Sequence, residues 1–290
     1  MKIRIGTRKS KLAMAQTMLV ADALMKYDSS IEIELVSIST EGDIRLDKSL
    51  SLIGGKGVFV SEIESQLYKE NIDIAVHSAK DLPVVIDDRL EISGVLPRAD
   101  YRDVLVVSNE FLKNGTIDKN TKMTIGTGSI RRRVNMHRNF PEMEFKDIRG
   151  NIDTRLKKLD AGEYDGIILA AAGIERLHLD MSKYHLISFD FKDFLPAPCQ
   201  GIIAIECLKN NSVRNIVRSI SDKKTQYCFE TERKVIELLN GDCSMPVGAF
   251  SYINDDEINL TISDDSINFR TGKSKIDKRF ELAKKLVESL

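Results

Sequence analysis

The sequence predicts an α/β protein built of two similar lobes around a cleft, followed by a small α+β C-terminal domain. Three observations carry this. Through the first two-thirds, short apolar runs alternate with stretches of helical periodicity. The pattern partly repeats, since Ile5-Gly6-Thr7-Arg8-Lys9-Ser10 echoes Ile125-Gly126-Thr127-Gly128-Ser129-Ile130-Arg131, and Asp73-Ile74-Ala75-Val76 echoes Asp165-Gly166-Ile167-Ile168. From Asp222 onward that alternation gives way to a different pattern.

Taken in order, Ile3–Ile5 reads as a strand. Leu12, Ala15, Leu19 and Ala23 recur at three- and four-residue steps, which predicts a helix over Lys11–Tyr27. Ile33, Leu35 and Val36 predict a strand, Val58–Leu67 an amphipathic helix opened by Gly54-Gly55-Lys56-Gly57, and Ile72–Val76 a buried strand. The second lobe follows suit: strand Met123–Gly126, helix Ser129–Arg138, strand Glu144–Ile148, helix Ile152–Leu159, strand Gly166–Ala170, then a helix to about Leu177. Proline marks hinges at Pro97–Arg102 and Leu195-Pro196-Ala197-Pro198. The C-terminal part predicts a helix over Phe229–Leu239, a Gly/Pro loop, a hairpin of Glu257–Ile262 with Ser266–Thr271, and a final amphipathic helix over Lys278–Leu290. The expected domains are residues 1–98 with 196–220, residues 99–195, and residues 221–290.

Composition narrows the function. Hydrophobic content of 42% with 30% charged residues is that of a folded globular chain, and 290 residues exceed one ordinary core. With 43 Lys+Arg against 44 Asp+Glu, the net charge is −1. A broad polyanion-binding face is not expected, so nucleic acid is an improbable partner. The longest apolar run, Gly166 to Ile174, is too short to span a membrane, and no signal-type apolar core follows the N-terminal strand. Cytoplasmic residence is the default. Cys199, Cys207, Cys228 and Cys243 show no paired spacing, alone or with the four histidines, so neither a disulfide framework nor a metal site is expected.

The chemistry concentrates between Ile125 and Arg155. Thr127-Gly128-Ser129-Ile130-Arg131-Arg132-Arg133 and Arg149-Gly150-Asn151-Ile152-Asp153-Thr154-Arg155 each follow an expected strand and open an expected helix. Such a junction aims free N–H groups and a positive dipole end at one spot, and arginine adds a fork of donors matched to carboxylate or phosphate. The plain alternative is a basic helix face paired with nearby acids. The small residues at both helix mouths favour a pocket for a small molecule bearing several negative groups. Consecutive arginines point about 100° apart on a helix, so at most two of Arg131–Arg133 face one pocket.

Asp73-Ile74-Ala75-Val76-His77-Ser78-Ala79-Lys80-Asp81 runs a buried strand out into a charged pair. A solvated ion pair is the commoner reading; a carboxylate held at a cleft wall is the functional one. Gly54-Gly55-Lys56-Gly57 lacks the ending of a nucleotide phosphate loop, leaving Lys56 as a candidate anion contact on a glycine-hinged loop. Cys243 lies among polar, turn-forming neighbours, which predicts an accessible loop; Cys199 is its only competitor.

Together these segments resemble the porphobilinogen deaminase (hydroxymethylbilane synthase) family. Arg8-Lys9-Ser10, Gly54-Gly55-Lys56-Gly57, His77-Ser78-Ala79-Lys80-Asp81-Leu82-Pro83, Gly126-Thr127-Gly128-Ser129-Ile130-Arg131-Arg132, Arg149-Gly150-Asn151, Leu195-Pro196-Ala197-Pro198-Cys199-Gln200-Gly201 and Gly241-Asp242-Cys243 occur in the family's order over nearly the whole chain. The resemblance implies two lobes like type II periplasmic binding proteins, with mixed sheets, and a third domain. It also implies a monomer. The implied activity joins four porphobilinogen units head to tail onto a dipyrromethane cofactor, releases ammonia each time, and frees hydroxymethylbilane by hydrolysis for haem and other tetrapyrroles.

By motif match, Cys243 holds the cofactor through a thioether. Asp81 matches the catalytic carboxylate, with Lys80 beside it. Arg8, Ser10, Lys80, Asp81, Thr127, Ser129, Arg131, Arg132, Arg149 and Gly150 match cofactor-binding positions, and Arg8, Arg149, Arg155, Arg176, Gln200 and Lys56 are substrate-binding candidates. Each pyrrole carries an acetate and a propionate, so the arginines become a track for carboxylates. The chain departs from the family at Asp242, where glycine is commoner, at Cys199, where glycine is usual, and at Glu41, where a basic residue is frequent. Rival readings are a two-lobed solute-binding or sensing domain, which needs no adduct on Cys243, and a nucleic-acid binder using Arg131–Arg133.

Overall fold

The computed structural model describes residues 1–39, 61–109, 111–114, 117–240 and 245–290. Strand β1 (Lys2–Arg8) lies between β2 (Glu32–Ile38) and β3 (Ile74–Ser78), parallel to both. After β4 (Leu90–Val95) the chain crosses to the second lobe, which contains β5 (Asp103–Ser108), β6 (Thr124–Gly126), β7 (Glu144–Lys146), β8 (Gly166–Ala170) and β9 (Tyr184–Ser188). It then crosses back as β10 (Ile203–Leu208), antiparallel between β3 and β4. The first sheet has the order β2-β1-β3-β10-β4 and the second β7-β6-β8-β5-β9. The two orders are the same topology, with β5 antiparallel to its neighbours in the second lobe as β10 is in the first. This is the two-lobed, mixed-sheet architecture that the sequence predicts. The third domain is an antiparallel meander of β11 (Gly248–Asn254), β12 (Glu257–Ser263) and β13 (Arg270–Lys275). Helices Lys223–Leu238 and Arg279–Val287 cover it over a core that includes Val235, Ile258, Leu260 and Leu282.

The internal sequence echo has a structural basis. Asp73 donates its N–H to Arg4 O and accepts Arg4 N–H on Oδ2 at 2.8 Å. Asp165 makes the same pair of bonds to Thr124, accepting its N–H at 2.7 Å. Each carboxylate thereby fastens the start of a lobe's third parallel strand to the first. Both first strands are followed within three residues by a serine that caps the next helix: Ser10 Oγ accepts Ala13 N–H, and Ser129 Oγ accepts Arg132 N–H. The helix mouths therefore open at the carboxyl ends of the parallel strands, where α/β sheets place their ligands. Gly126 admits no side chain, because a Cβ there would meet Tyr164 Cδ1 at 2.9 Å.

Helix Lys11–Tyr27 and strand Gly166–Ala170 have the expected bounds. β3 starts two residues later than expected, so Ser78 ends the strand and Ala79–Asp81 form a 3-10 turn directly after it. The helix expected over Val58–Leu67 is described over Ser61–Tyr68; its first residues, together with Glu41, Lys56, Asp242 and Cys243, lie outside the described residues. Strands β4, β5, β9, β10 and β11 escape the sequence reading. β5 and β10 are central and almost wholly buried, so they lack the alternation that marks a one-faced strand. In the third domain the helix begins at Lys223, capped by Asp222. The second hairpin strand is Arg270–Lys275 rather than Ser266–Thr271, because Asp265 gathers the N–H groups of Ile267 and Asn268 into a turn.

The two crossings run side by side, with Leu96 N–H donating to Ile203 O and Ala99 N–H to Gly201 O. The third domain grips both of them through Glu232, a fully buried carboxylate. Glu232 accepts from Arg98 at 2.6 and 3.2 Å, from Cys199 N–H at 2.6 Å, and from Ser251 N–H at 2.7 Å. A buried charge with this many donors is satisfied rather than stranded. Cys199 has φ +63°, left-handed backbone that costs an L-residue about 1–2 kcal/mol.

Candidate functional site

Lobe 1 presents its charges on the turn after β3. Ala79 N–H donates to Ile202 O, and Leu82 is buried against Cys199 and Phe229, so the turn is pinned on either side of Lys80 and Asp81. Asp81 itself is exposed. Lys80 retains some accessible surface, yet its ammonium lies in crowded surroundings and donates to Gln200 Oε1 at 3.4 Å. Burial pushes Lys80 down to about 8; the charge of Asp81 opposes this and Arg132 adds to it. Gln200, fully buried, donates its Nε2–H to Tyr101 O at 2.7 Å and so bridges the two crossings beneath Lys80.

Lobe 2 faces this turn with arginines. Arg131 and Arg132 are 5% and 8% exposed, which makes them fixed parts of the wall rather than mobile surface groups. Both pair with Asp103 at the head of β5. Arg132 donates to Asp103 Oδ1 at 2.9 and 2.7 Å and to Ile168 O. Arg131 sits 2.8 Å from Asp103 Oδ2, charge-paired though not aligned as a hydrogen bond, and donates to Leu195 O. Burial alone would raise Asp103, but Arg131 and Arg132 outweigh it and hold the carboxyl well below the usual range. Burial lowers Arg131. Arg133, as the helical geometry requires, turns away and pairs with Asp147 at 2.6 Å.

Arg155 donates to Gly150 O at 2.8 Å; burial, with Arg132 adding and Asp81 opposing, lowers it to about 10. Gly150 has φ +105°, and a Cβ there would strike Thr154, so the Arg149-Gly150-Asn151 entry to its helix needs glycine. Arg176 donates to Gly201 O at 2.6 Å, and burial lowers it to about 10. Thr127 is buried, and its Oγ1 accepts Ser129 N–H. Arg8 and Arg149 are half-buried and engaged with neighbours, and Ser10 is committed as a helix cap.

The arrangement has an excess of positive charge. Lys80, Arg131, Arg132 and Arg155 lie within electrostatic reach of one another through shared neighbours, and Asp81 and Asp103 are the carboxylates among them. Burial is the main cause of the lowered pKa values of these cations, and their mutual repulsion adds to it at Lys80, Arg131 and Arg155. A small molecule with several carboxylates fits this donor set. Sequence reasoning missed Asp103, which fixes Arg131 and Arg132. Its signal was an acid heading the apolar run Asp103-Val104-Leu105-Val106-Val107. Among the described residues, no group of His, Cys, Asp and Glu could hold a metal ion, and no helix is long and apolar enough to cross a membrane.

Comparison with known proteins places these residues in context. Residues 3–215 match the family model described as porphobilinogen deaminase, dipyromethane cofactor binding domain, and residues 226–290 match porphobilinogen deaminase, C-terminal domain. A porphobilinogen deaminase of Alkaliphilus oremlandii is 43% identical over 261 residues, covering 90% of this chain and 86% of that protein. A probable porphobilinogen deaminase of Picrophilus torridus is 46% identical over 254 residues, covering 88% and 86%. Among solved structures, the periplasmic VFT2 domain of Bordetella pertussis BvgS aligns with a TM-score of 0.44 at 12% identity, covering 79% of this chain and 92% of that one. The substrate binding domain of a putative molybdenum ABC transporter from Clostridium difficile aligns at 0.44 and 13% identity, covering 79% and 96%.

Proposed function

The chain belongs to the porphobilinogen deaminase family, and from that premise we propose that it joins four porphobilinogen units head to tail, releasing one ammonia per unit and freeing hydroxymethylbilane by hydrolysis. It is a transferase of tetrapyrrole biosynthesis with a dipyrromethane cofactor. The observation that carries the detailed reading is the exposed Asp81 of lobe 1 lying within electrostatic reach of the cation-rich wall of lobe 2. When bound, the cofactor supplies a free pyrrole α-carbon as nucleophile, so no protein nucleophile is required for elongation.

The chain's own residues do the rest. Arg8, Ser10, Lys80, Asp81, Thr127, Ser129, Arg131, Arg132, Arg149 and Gly150 hold the cofactor. Arg8, Arg149, Arg155, Arg176 and Lys56 hold the carboxylates of porphobilinogen and of the lengthening chain, and the buried Gln200, expected to bind substrate, supports Lys80 instead. Arg131 and Arg132, fixed in advance by Asp103, need no reorganisation to receive an acid. Lys80, titrating near 8, holds a proton close to Asp81 at neutral pH. Asp81 assists protonation and departure of the substrate amine and stabilises, through its pyrrole N–H, the cation left behind. Cys243 anchors the cofactor through a thioether, a carbon–sulfur bond that survives repeated acid–base steps. The enzyme acts as a cytoplasmic monomer.

Intact-mass measurement of the purified protein tests this reading. An excess equal to two linked pyrroles, absent in Cys243→Ser, is the expected result, and a colour reaction of the parent with an aldehyde pyrrole reagent accompanies it. An unmodified mass in an active enzyme would overturn the covalent assignment.

A further inference from the structure

We infer that Arg233, on a helix of the third domain, is a positioning residue for Asp81, acting on the chain segment that leaves the Lys80–Asp81 turn. The inference rests on the reading of Asp81 given above. Arg233 Nη2 donates to Pro83 O and to Val84 O, at 2.6 Å each, and Nη1 approaches Leu82 O at 3.5 Å. Consecutive carbonyls thus converge on one guanidinium, whose planar fork of donors suits them as an ammonium would not. Among the described residues, 83–86 make no backbone–backbone hydrogen bond, and Val85 is 80% exposed. A segment so poorly held by its own backbone drifts unless something outside fixes it.

The geometry says what that fixing achieves. Upstream, the turn is anchored by Ala79 N–H on Ile202 O; downstream, Leu82 is buried and the next two carbonyls are tied to Arg233. Asp81 lies between these anchors with an exposed side chain. Its carboxylate position is therefore set by the backbone on both sides. Loss of the downstream anchor allows a shift of a fraction of an ångström to an ångström, and displacements of that size cost up to about a hundredfold in rate. The helix that carries Arg233 runs on to Leu238, five residues before Cys243 in the sequence, so the contact to the segment after Asp81 and the proposed anchor residue are close along one stretch of chain.

The test uses full-length Arg233→Met and Arg233→Lys, with turnover counted per adduct-bearing molecule by intact mass and folded fraction by near-UV circular dichroism. Arg233→Met is expected to lower kcat about 10- to 100-fold with KM within about threefold. Arg233→Lys is expected to recover part of the loss, because a single ammonium reaches fewer of the carbonyls. Turnover per folded, adduct-bearing molecule equal to the parent's would overturn the inference and leave Arg233 as an inter-domain tether. Should Arg233→Met not fold, Arg233→Lys alone decides by the same criterion, a kcat unchanged from the parent's counting against it.

The double variant Arg233→Lys with Asp81→Asn separates this inference from the reading of Asp81. If Arg233 acts through Asp81, the double variant is no slower than Asp81→Asn alone; multiplying losses would overturn the positioning role. Parental turnover in Asp81→Asn alone would instead overturn the reading of Asp81.

Discussion

The two lobes are copies of one scaffold that carry their charge in opposite ways. Each has three parallel strands, an antiparallel strand brought in by a crossing, and an aspartate that ties the third strand to the first. Each also has a buried threonine, Thr7 or Thr127, just before the serine that caps the next helix. The registers identify equivalent places: Ile203 of β10 faces Ser78, and Asp103 of β5 faces Ala170. Lobe 1 therefore has an apolar side chain where lobe 2 has a buried carboxylate. Lobe 2 needs that carboxylate because its helix carries Arg131 and Arg132 at its second and third positions, where the lobe 1 helix has Leu12 and Ala13. Lobe 1 carries its charges one turn further along the other strand, at Lys80 and Asp81, where the matching stretch of lobe 2 is Ala171-Ala172-Gly173. A duplicated fold can thus place a fixed cationic wall opposite an accessible acid, because its strand ends tolerate different residues while its ladders do not.

The largest expected effect lies at that accessible acid. Asp81→Asn preserves shape and removes the charge, and kcat is expected to fall by about 10²- to 10⁴-fold while the folded fraction stays at the parent's. Near-parental kcat would break the division of labour between the lobes. Next comes the buried counter-ion. Asp103→Ala strands Arg131 and Arg132 in the interior and is expected to destabilise the protein by about 3–5 kcal/mol in denaturant unfolding. Ile203→Val at the equivalent place of lobe 1 removes only a methyl group and is expected to cost about 0.5–1.5 kcal/mol. Equal costs would mean that Asp103 is not what holds the arginine wall.

Much of this comparison was legible in the chain itself. The echo of Ile5-Gly6-Thr7 in Ile125-Gly126-Thr127 marks equivalent strand ends, and the two aspartate motifs mark equivalent third strands. Arg133 turning away from Arg131 and Arg132 follows from helical geometry alone. Asp103 was invisible for a different reason: its role comes from a crossing strand whose burial on both faces erased the alternation that announces a strand. Glu232 was hidden likewise, as was the bridge that Gln200 makes to Tyr101, since no local pattern tells that a third-domain helix and a crossing loop meet beneath the cleft. Short-range signals reveal elements and their caps; partners brought together by the crossings require the tertiary structure.

A smaller effect concerns Lys80. Its ordinary value of 10.5 falls to about 8 in the folded protein, with burial as the main cause. Between those values the unfolded chain binds more protons than the folded one, so folding stability rises with pH across that window. Lys80→Met is expected to remove this rise. The difference in Tm between parent and variant, measured from pH 7.5 to 10, should therefore move in the parent's favour as pH increases. A difference independent of pH would show that the Lys80 ammonium is well hydrated, and that lobe 1 meets lobe 2 through solvent.

The smallest effect tests the scaffold rather than the charges. Ser10 Oγ caps its helix at 3.2 Å and Ser129 Oγ at 3.4 Å, and replacing either by alanine is expected to cost about 1 kcal/mol. Cations in a first helical turn oppose the helix dipole by about 0.3–1 kcal/mol, which should load the Ser129 cap more heavily than the Ser10 cap. Asp103 offsets much of that load by pairing with both arginines. The two alanine variants should therefore be equally destabilised, within about 0.5 kcal/mol, in the parent background. In Asp103→Ala the equality should fail, because the first turn then faces two uncompensated charges and the Ser129 cap becomes the costlier one to lose. Unequal costs with Asp103 intact would mean that the arginines strain their helix, and that the second lobe is less faithful a copy of the first than its strand order suggests.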